Sequence, residues 1–173
     1  MFNFSALLLL LVFQVKPDYL EQLSDTLDVV ILGGYYGKGR GSGKICHFLC
    51  GLATGKGSYS SFCKVSSGLT DNDLKDKIDR LTPYWIPFDK LKIPKEITLG
   101  TNAREKPAYL IQPQHSLILE IRAAELMATS FFALPYTTRF TRVVRVREDK
   151  GVEDCTTQQE VEKLQKVSKR GIG

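Results

Sequence analysis

The sequence predicts a mainly β chain, a small closed barrel of about five strands with one helix among them and a second short helix near the C-terminal end. Two observations carry this. Apolar runs of strand length recur between glycine-rich or proline-rich punctuation, and only two stretches carry apolar residues at helical spacing. A doubly wound parallel sheet fits less well, because it needs a helix between successive strands.

The elements follow in chain order. "LDVVILGG", Leu27 to Gly34, is an apolar run ending in glycines and reads as a buried strand. After it, "YYGKGRGSGK" alternates glycine with Lys38, Arg40 and Lys44, a flexible basic loop. "ICHFLCGLA" and "SYSSFCKVSSG" are strands joined as a hairpin through "TGKG". "TDNDLKDKIDRL" sets Leu74, Ile78 and Leu81 at helical spacing behind Thr70 as N-cap, with Asp71 and Asp73 in the first turn, so a helix is expected. "TPYWIPFDKLKIPKE" is broken by Pro83, Pro87 and Pro94 and reads as an irregular connection. "KPAYLIQPQ" and "SLILEIRAAEL" supply further strands, the second with Leu117, Leu119 and Ile121 on one face. In the tail, Thr156 or Thr157 caps a short amphipathic helix carrying Val161, Leu164 and Val167. A hairpin-rich meander, a central helix and a basic loop fit a five-stranded Greek-key barrel of the oligonucleotide-binding (OB) kind.

The densest chemistry lies in "TTRFTRVVRVREDKG", Thr137 to Gly151, with Arg139, Arg142, Arg145 and Arg147 in close succession. In a straight strand Val144 and Val146 share one face, as anchors, while Arg145 and Arg147 share the other. Arg142 breaks that parity, so a turn or bulge near Thr141 is expected. Guanidinium groups grip phosphate bidentately, which suits a triphosphate or a nucleic-acid backbone. The competing reading is a solvated strand whose arginines pair with Glu148, Asp149 and neighbouring acids. The glycine loop is not a G-x-x-x-x-G-K-[ST] phosphate loop; it reads equally as a phosphate cradle or as a mobile hairpin end.

At 173 residues the chain is of ordinary single-domain size, and its net charge of +5 is compatible with a polyanionic partner. Cys46, Cys50, Cys63 and Cys155 are not spaced as a secreted disulfide framework and are read as reduced thiols. Cys46, His47, Cys50 and Cys63 lack a second ligand pair, so no metal site is assigned. "MFNFSALLLLLVF" has the apolar core of a secretion signal but neither a basic start nor a small-x-small cleavage pattern, and it is too short to span a bilayer.

Taken together, the ordered motifs resemble the OB-fold domain of ATP-dependent DNA ligases, most of all the ligase IV branch that serves non-homologous end joining. The resemblance runs from about Val15 to about Leu164. "VKPDYL" is similar to the end of motif V of the nucleotidyltransferase domain, W-L-K-x-K-P-[DE]-Y. "LDVVILGGYYGKG" resembles the family's barrel entry, and "HFLCG" and "PYWIPF" look like ligase IV. "RFTRVVRVREDK" resembles motif VI, R-F-P-R-x-x-[RK]-[VI]-R-x-D-K. Residues 1–14 fall outside the resemblance, 15–155 make up the OB domain, and 156–173 a short helix and polar tail.

The resemblance implies that ATP, with Mg2+, adenylates a lysine of a nucleotidyltransferase domain normally in the same polypeptide. The adenylate then passes to the 5′-phosphate of nicked or broken double-stranded DNA, and the 3′-hydroxyl seals the strand. Motif VI is implied to cover the ATP phosphates through Arg139, Arg142, Arg147, Asp149 and Lys150, with Lys16 of motif V as a further phosphate contact. Lys38, Arg40 and Lys44 are implied to meet DNA phosphates, and Phe140 to press on the minor groove. The scaffold partner of end joining is expected to bind elsewhere in the enzyme, and the location implied is the nucleus.

This copy departs from the pattern at three places. Gln14 stands for the first lysine of motif V, and Val12 for its tryptophan. Thr141 replaces the proline of R-F-P-R, which loosens φ there. No K-x-D-G-x-R occurs in the chain, so no nucleophilic lysine is assigned, and the chain alone is not expected to form lysyl-AMP. The leading expectation is thus a ligase IV-like OB domain, as a fragment or a gene product with a non-native start. Its rivals are a stand-alone, non-specific nucleic-acid-binding OB module without catalytic activity and, on the leucine run alone, a secreted or membrane-associated protein.

Overall fold

The computed structural model describes residues 26–39, 42–102, 104 and 106–170, with backbone alone for 166–170. The apolar leader, Lys16 and Arg40 lie outside the described residues. Strand β1 (Leu27–Tyr36) is buried over nearly its whole length and forms the centre of the sheet. The hairpin partners β2 (Ile45–Gly55) and β3 (Ser58–Val65) turn at Lys56 and Gly57, where Gly57 takes φ +70°. Helix α1 (Asp71–Leu81) starts as its sequence dictates: Thr70 Oγ1 accepts from Asp73 N at 3.1 Å. Leu81 is buried on its core side.

The proline-broken stretch contributes a 3-10 turn (Thr82–Tyr84) and the two-residue strand β4 (Ile86–Pro87), and the equally short β5 (Ile97–Thr98) follows directly after it. "KPAYLIQPQ" yields just β6 (Tyr109–Leu110), because Pro107 and Pro113 bracket it. "SLILEIRAAEL" is divided into β7 (Ile118–Arg122) and β8 (Glu125–Ala128), and β8 pairs with β9 (Tyr136–Arg139) in a separate two-stranded sheet. Strand β10 (Arg142–Val146) follows, then helix α2 (Gln158–Arg170).

The five longest strands run β10-β7-β1-β2-β3, each antiparallel to its neighbour. This row curls until its edges meet: Val143 N of β10 donates to Ser67 O, just past β3, at 2.7 Å. The close approach is made at Gly68, where φ is +112° and an added Cβ would lie 2.1 Å from Val143 O. Only glycine fits there. The result is the five-stranded OB barrel, with α1 in the connection from β3 to β7. Val29, Ile31, Phe48, Leu52, Phe62, Leu119 and Ile121 fill its interior.

Helix α2 shares that interior. Val161 is fully buried among the barrel residues, and Thr157 Oγ1 caps the helix by accepting from Glu160 N at 3.2 Å. The segment entering the helix is stitched to the barrel through Thr156, whose N–H donates to Asp28 O at 2.8 Å and whose hydroxyl accepts from Asp28 N at 2.9 Å. Among the described residues none of the four cysteines forms a disulfide. Cys50 and Cys63 face each other in register within the core, and burial pushes the Cys50 thiol well up. No described helix is long and apolar enough to cross a membrane.

Candidate phosphate and nucleic-acid interface

A bulge decides which side chains of the arginine segment reach outward. The β10–β7 register slips between Val143 and Arg145, so Val143 is buried while Val144, expected as an anchor, is 47% exposed. Residue parity reverses within the strand, and Val146 returns to pack against the core. The expected break near Thr141 is also present. Phe140, between β9 and β10, takes φ +55°, a left-handed conformation costly for a side chain with a Cβ, and its ring is 73% exposed. Thr141 Oγ1 and Thr138 Oγ1 lie 2.6 Å apart across this turn. Their hydrogen bond ties a position where the family pattern has a proline ring.

The segment's cations divide into two groups. At the turn, Arg139 Nη1 donates to the buried Glu125 carboxylate at 3.1 Å while its guanidinium lies 4.9 Å from the centre of the Phe140 ring. Arg142 starts β10 opposite Arg122 of β7, and among the described residues no acid pairs with it. An exposed ring is thus flanked by two arginines and a third lies across the sheet. Further along, Arg145 is taken by Glu120, which Thr26 also holds at 2.8 Å; the Arg145 bond lowers the Glu120 carboxyl.

The second group surrounds Asp28 of β1. Arg147 grips Asp149 as a fork, Nε to Oδ1 at 2.9 Å and Nη2 to Oδ2 at 2.8 Å, and turns Nη1 toward Asp28 Oδ1 at 3.4 Å. Lys150 Nζ donates to Asp28 Oδ2 at 2.7 Å. The Arg147 side chain is only 14% exposed and that of Asp28 13%, whereas Asp149 is 62% exposed, so the Arg147–Asp28 contact is largely covered and the outer carboxylate faces solvent. The Arg147 fork holds the Asp149 carboxyl far below the usual range, and the same bond raises Arg147. Glu148, between them, turns the other way: it accepts from Lys77 at 3.1 Å and from both terminal nitrogens of Arg80, anchoring the loop to α1.

Lys38 and Lys44 are exposed on the loop between β1 and β2, closed by Gly37 N to Lys44 O at 2.9 Å. They lie past the opposite end of β1 from Leu27, roughly 30 Å of extended strand away. Arg147, Asp149 and Lys150 are therefore brought together, Arg139, Phe140 and Arg142 form a neighbouring group, and the loop lysines stand apart. Asp28, the hub of the Arg147–Lys150 group, is not legible in the sequence. It lies 119 residues before Arg147 and reads as one polar position in an apolar run. Among the described residues no three metal-ligating side chains converge.

Fold and surface together define an OB-fold domain with a cation-rich edge. The family model described as the ATP dependent DNA ligase C terminal region matches residues 41–150, and the chain belongs to that family. It is 36% identical over 157 residues to DNA ligase 4 of Homo sapiens, a match covering 87% of this chain and 17% of that protein. To DNA ligase 4 of Dictyostelium discoideum it is 37% identical over 170 residues, 86% of this chain and 16% of that one. The chain thus spans about a sixth of the length of these curated relatives. Among solved structures, the ligase domain from M. tuberculosis LigD superposes with a TM-score of 0.58 at 22% identity, covering 78% of this chain and 39% of that one. A mycobacterial DNA ligase D complexed with ATP and MES gives 0.54 at 21%, covering 78% and 38%. These likenesses show the fold.

Proposed function

We propose that the domain works as the OB-fold part of an ATP-dependent DNA ligase of the ligase IV kind, contacting ATP phosphates with the cations of the Arg139–Lys150 segment and nicked DNA with Phe140 and the loop between β1 and β2. The observation that carries the reading is the pairing around the Asp28 carboxylate of Arg147 and Lys150, two cations that lie inside the region matched by the family model. The pair fits phosphate. Of the five N–H groups of Arg147, three are taken by Asp149 and Asp28, and Lys150 uses one of its three donors on Asp28, so both cations keep donors to direct at phosphate oxygens. ATP supplies the adenylyl group and the pyrophosphate that leaves. Arg147 and Lys150 hold the outer phosphates, Asp149 fixes the guanidinium plane, and Arg139, Arg142 and Lys16 add further contacts. Mg2+ belongs to the intact enzyme.

Phe140 is the DNA-facing group in this reading. An apolar ring standing out from a strained turn between arginines suits wedging into a minor groove, while Lys38, Arg40 and Lys44 meet backbone phosphates without reading sequence. The proposed setting is double-strand break repair by end joining in the nucleus, with a nucleotidyltransferase domain in the same polypeptide; the likeness to DNA ligase 4 supports it. Affinity of the chain for a fluorescent nicked duplex tests the DNA half. Phe140→Ala and Lys38→Ala each weaken binding, and Lys38→Ala reduces the salt slope by about one. Arg147→Ala leaves affinity within about twofold. If Arg147→Ala weakens DNA as strongly as Lys38→Ala, the division of labour is wrong and a general nucleic-acid module describes the domain better.

A further inference from the structure

We infer that Asp28 is the positioning residue of the Arg147–Lys150 pair, an inference that rests on the phosphate-binding reading of that pair. Its two carboxylate oxygens each take a different cation, Oδ1 from Arg147 at 3.4 Å and Oδ2 from Lys150 at 2.7 Å. One rigid group therefore sets the distance between the two. The backbone of Asp28 is fixed in turn, paired with Glu120 of β7 and bonded through both its N–H and its carbonyl to Thr156. Asp28 thereby ties the phosphate-binding loop, the central strand and the entry to α2 together.

Charge gives the inference its sharpest consequence. Arg147 and Lys150 are matched by Asp28 and Asp149, so the cluster sums to zero formal charge. Such a site draws phosphate weakly at long range and holds it through directed N–H groups at short range, which suits a domain that must grip and then release. Removing the Asp28 charge leaves the cluster net positive. Coulomb attraction alone then predicts tighter anion binding; positioning predicts weaker binding, because both cations lose the anchor that spaces them. The two accounts differ in sign.

Titration of the full chain with inorganic tripolyphosphate at low ionic strength, followed by calorimetry, decides between them. Asp28→Ala is expected to weaken binding about tenfold. Asp28→Asn, which keeps an acceptor oxygen for one of the two cations, recovers part of that loss. Binding as tight as or tighter than that of the unaltered chain, in either variant, overturns the inference. Should Asp28→Ala lose its cooperative thermal transition, Asp28→Asn decides by the same criterion. Arg147→Ala separates the two levels: if it binds tripolyphosphate normally the phosphate reading itself fails, and if it loses binding while the Asp28 variants do not, only the positioning role fails. An unaltered chain that does not bind tripolyphosphate overturns both.

Discussion

Replacing Phe140 by glycine and by alanine reverses the usual order of the two. At an ordinary strand or helix position glycine is less stable than alanine by about 0.5–1 kcal/mol. At φ +55° any residue with a Cβ pays about 1–2 kcal/mol that glycine does not. The larger conformational freedom of glycine in the unfolded chain offsets about 0.4–1 kcal/mol of this. The net expectation is Phe140→Gly more stable than Phe140→Ala by about 0.5–1 kcal/mol. Ring loss cancels between the variants, since both give up the Arg139 contact, and a ring 73% exposed buries little area in either case. Urea denaturation of both proteins, compared by midpoint at equal slope, measures the difference. Alanine equal to or more stable than glycine refutes the claim that the turn stores strain. Both variants should lose nicked-duplex affinity alike, because the ring is what they share in lacking.

Other perturbations test the architecture. Val161→Ala should destabilise by about 2 kcal/mol in urea, since the side chain is fully buried among barrel residues; a value within about 0.5 kcal/mol of zero would mean that α2 lies outside the cooperative unit. Gly68→Ala should cost about 3 kcal/mol or more, by the clash with Val143 O, and is read by thermal melting. The Glu148 carboxyl is lowered by its bonds to Arg80 and then Lys77, so its stabilisation is present above the unfolded carboxylate value and is lost as pH falls through the lower folded one. Glu148→Gln should therefore flatten the acid side of the stability profile below about pH 4.5 and leave neutral stability within about 1 kcal/mol, because the pair is largely exposed.

Much of this fold is written locally. The capped helix at Thr70, the glycine turn at Gly57 and the apolar run of β1 each answer to a period or a turn rule over a few residues. What escaped is non-local. Strict alternation places Val144 in the core and fails there because one bulge against β7 reverses parity after Val143. The hairpin of β8 and β9 was hidden because Ala123 and Ala124 continue the apolar run of β7 without punctuation. At the site, the Arg139–Lys150 pattern named its own cations and the local partner Asp149, yet not the partners contributed by other strands. Asp28 reaches Arg147 and Lys150 across 119 and 122 residues, beyond any window of sequence, while Glu125 meets Arg139 through the register of the hidden β8–β9 hairpin and Lys77 reaches Glu148 from α1.

The most direct test of the central claim is the rate of lysyl-AMP formation in a polypeptide that joins this domain to a nucleotidyltransferase domain carrying K-x-D-G-x-R. Arg147→Ala should slow that step about a hundredfold, the scale of losing one directed donor to developing charge, while Phe140→Ala leaves it unchanged and weakens nicked-duplex binding instead. Adenylylation at the unaltered rate in Arg147→Ala would contradict the account.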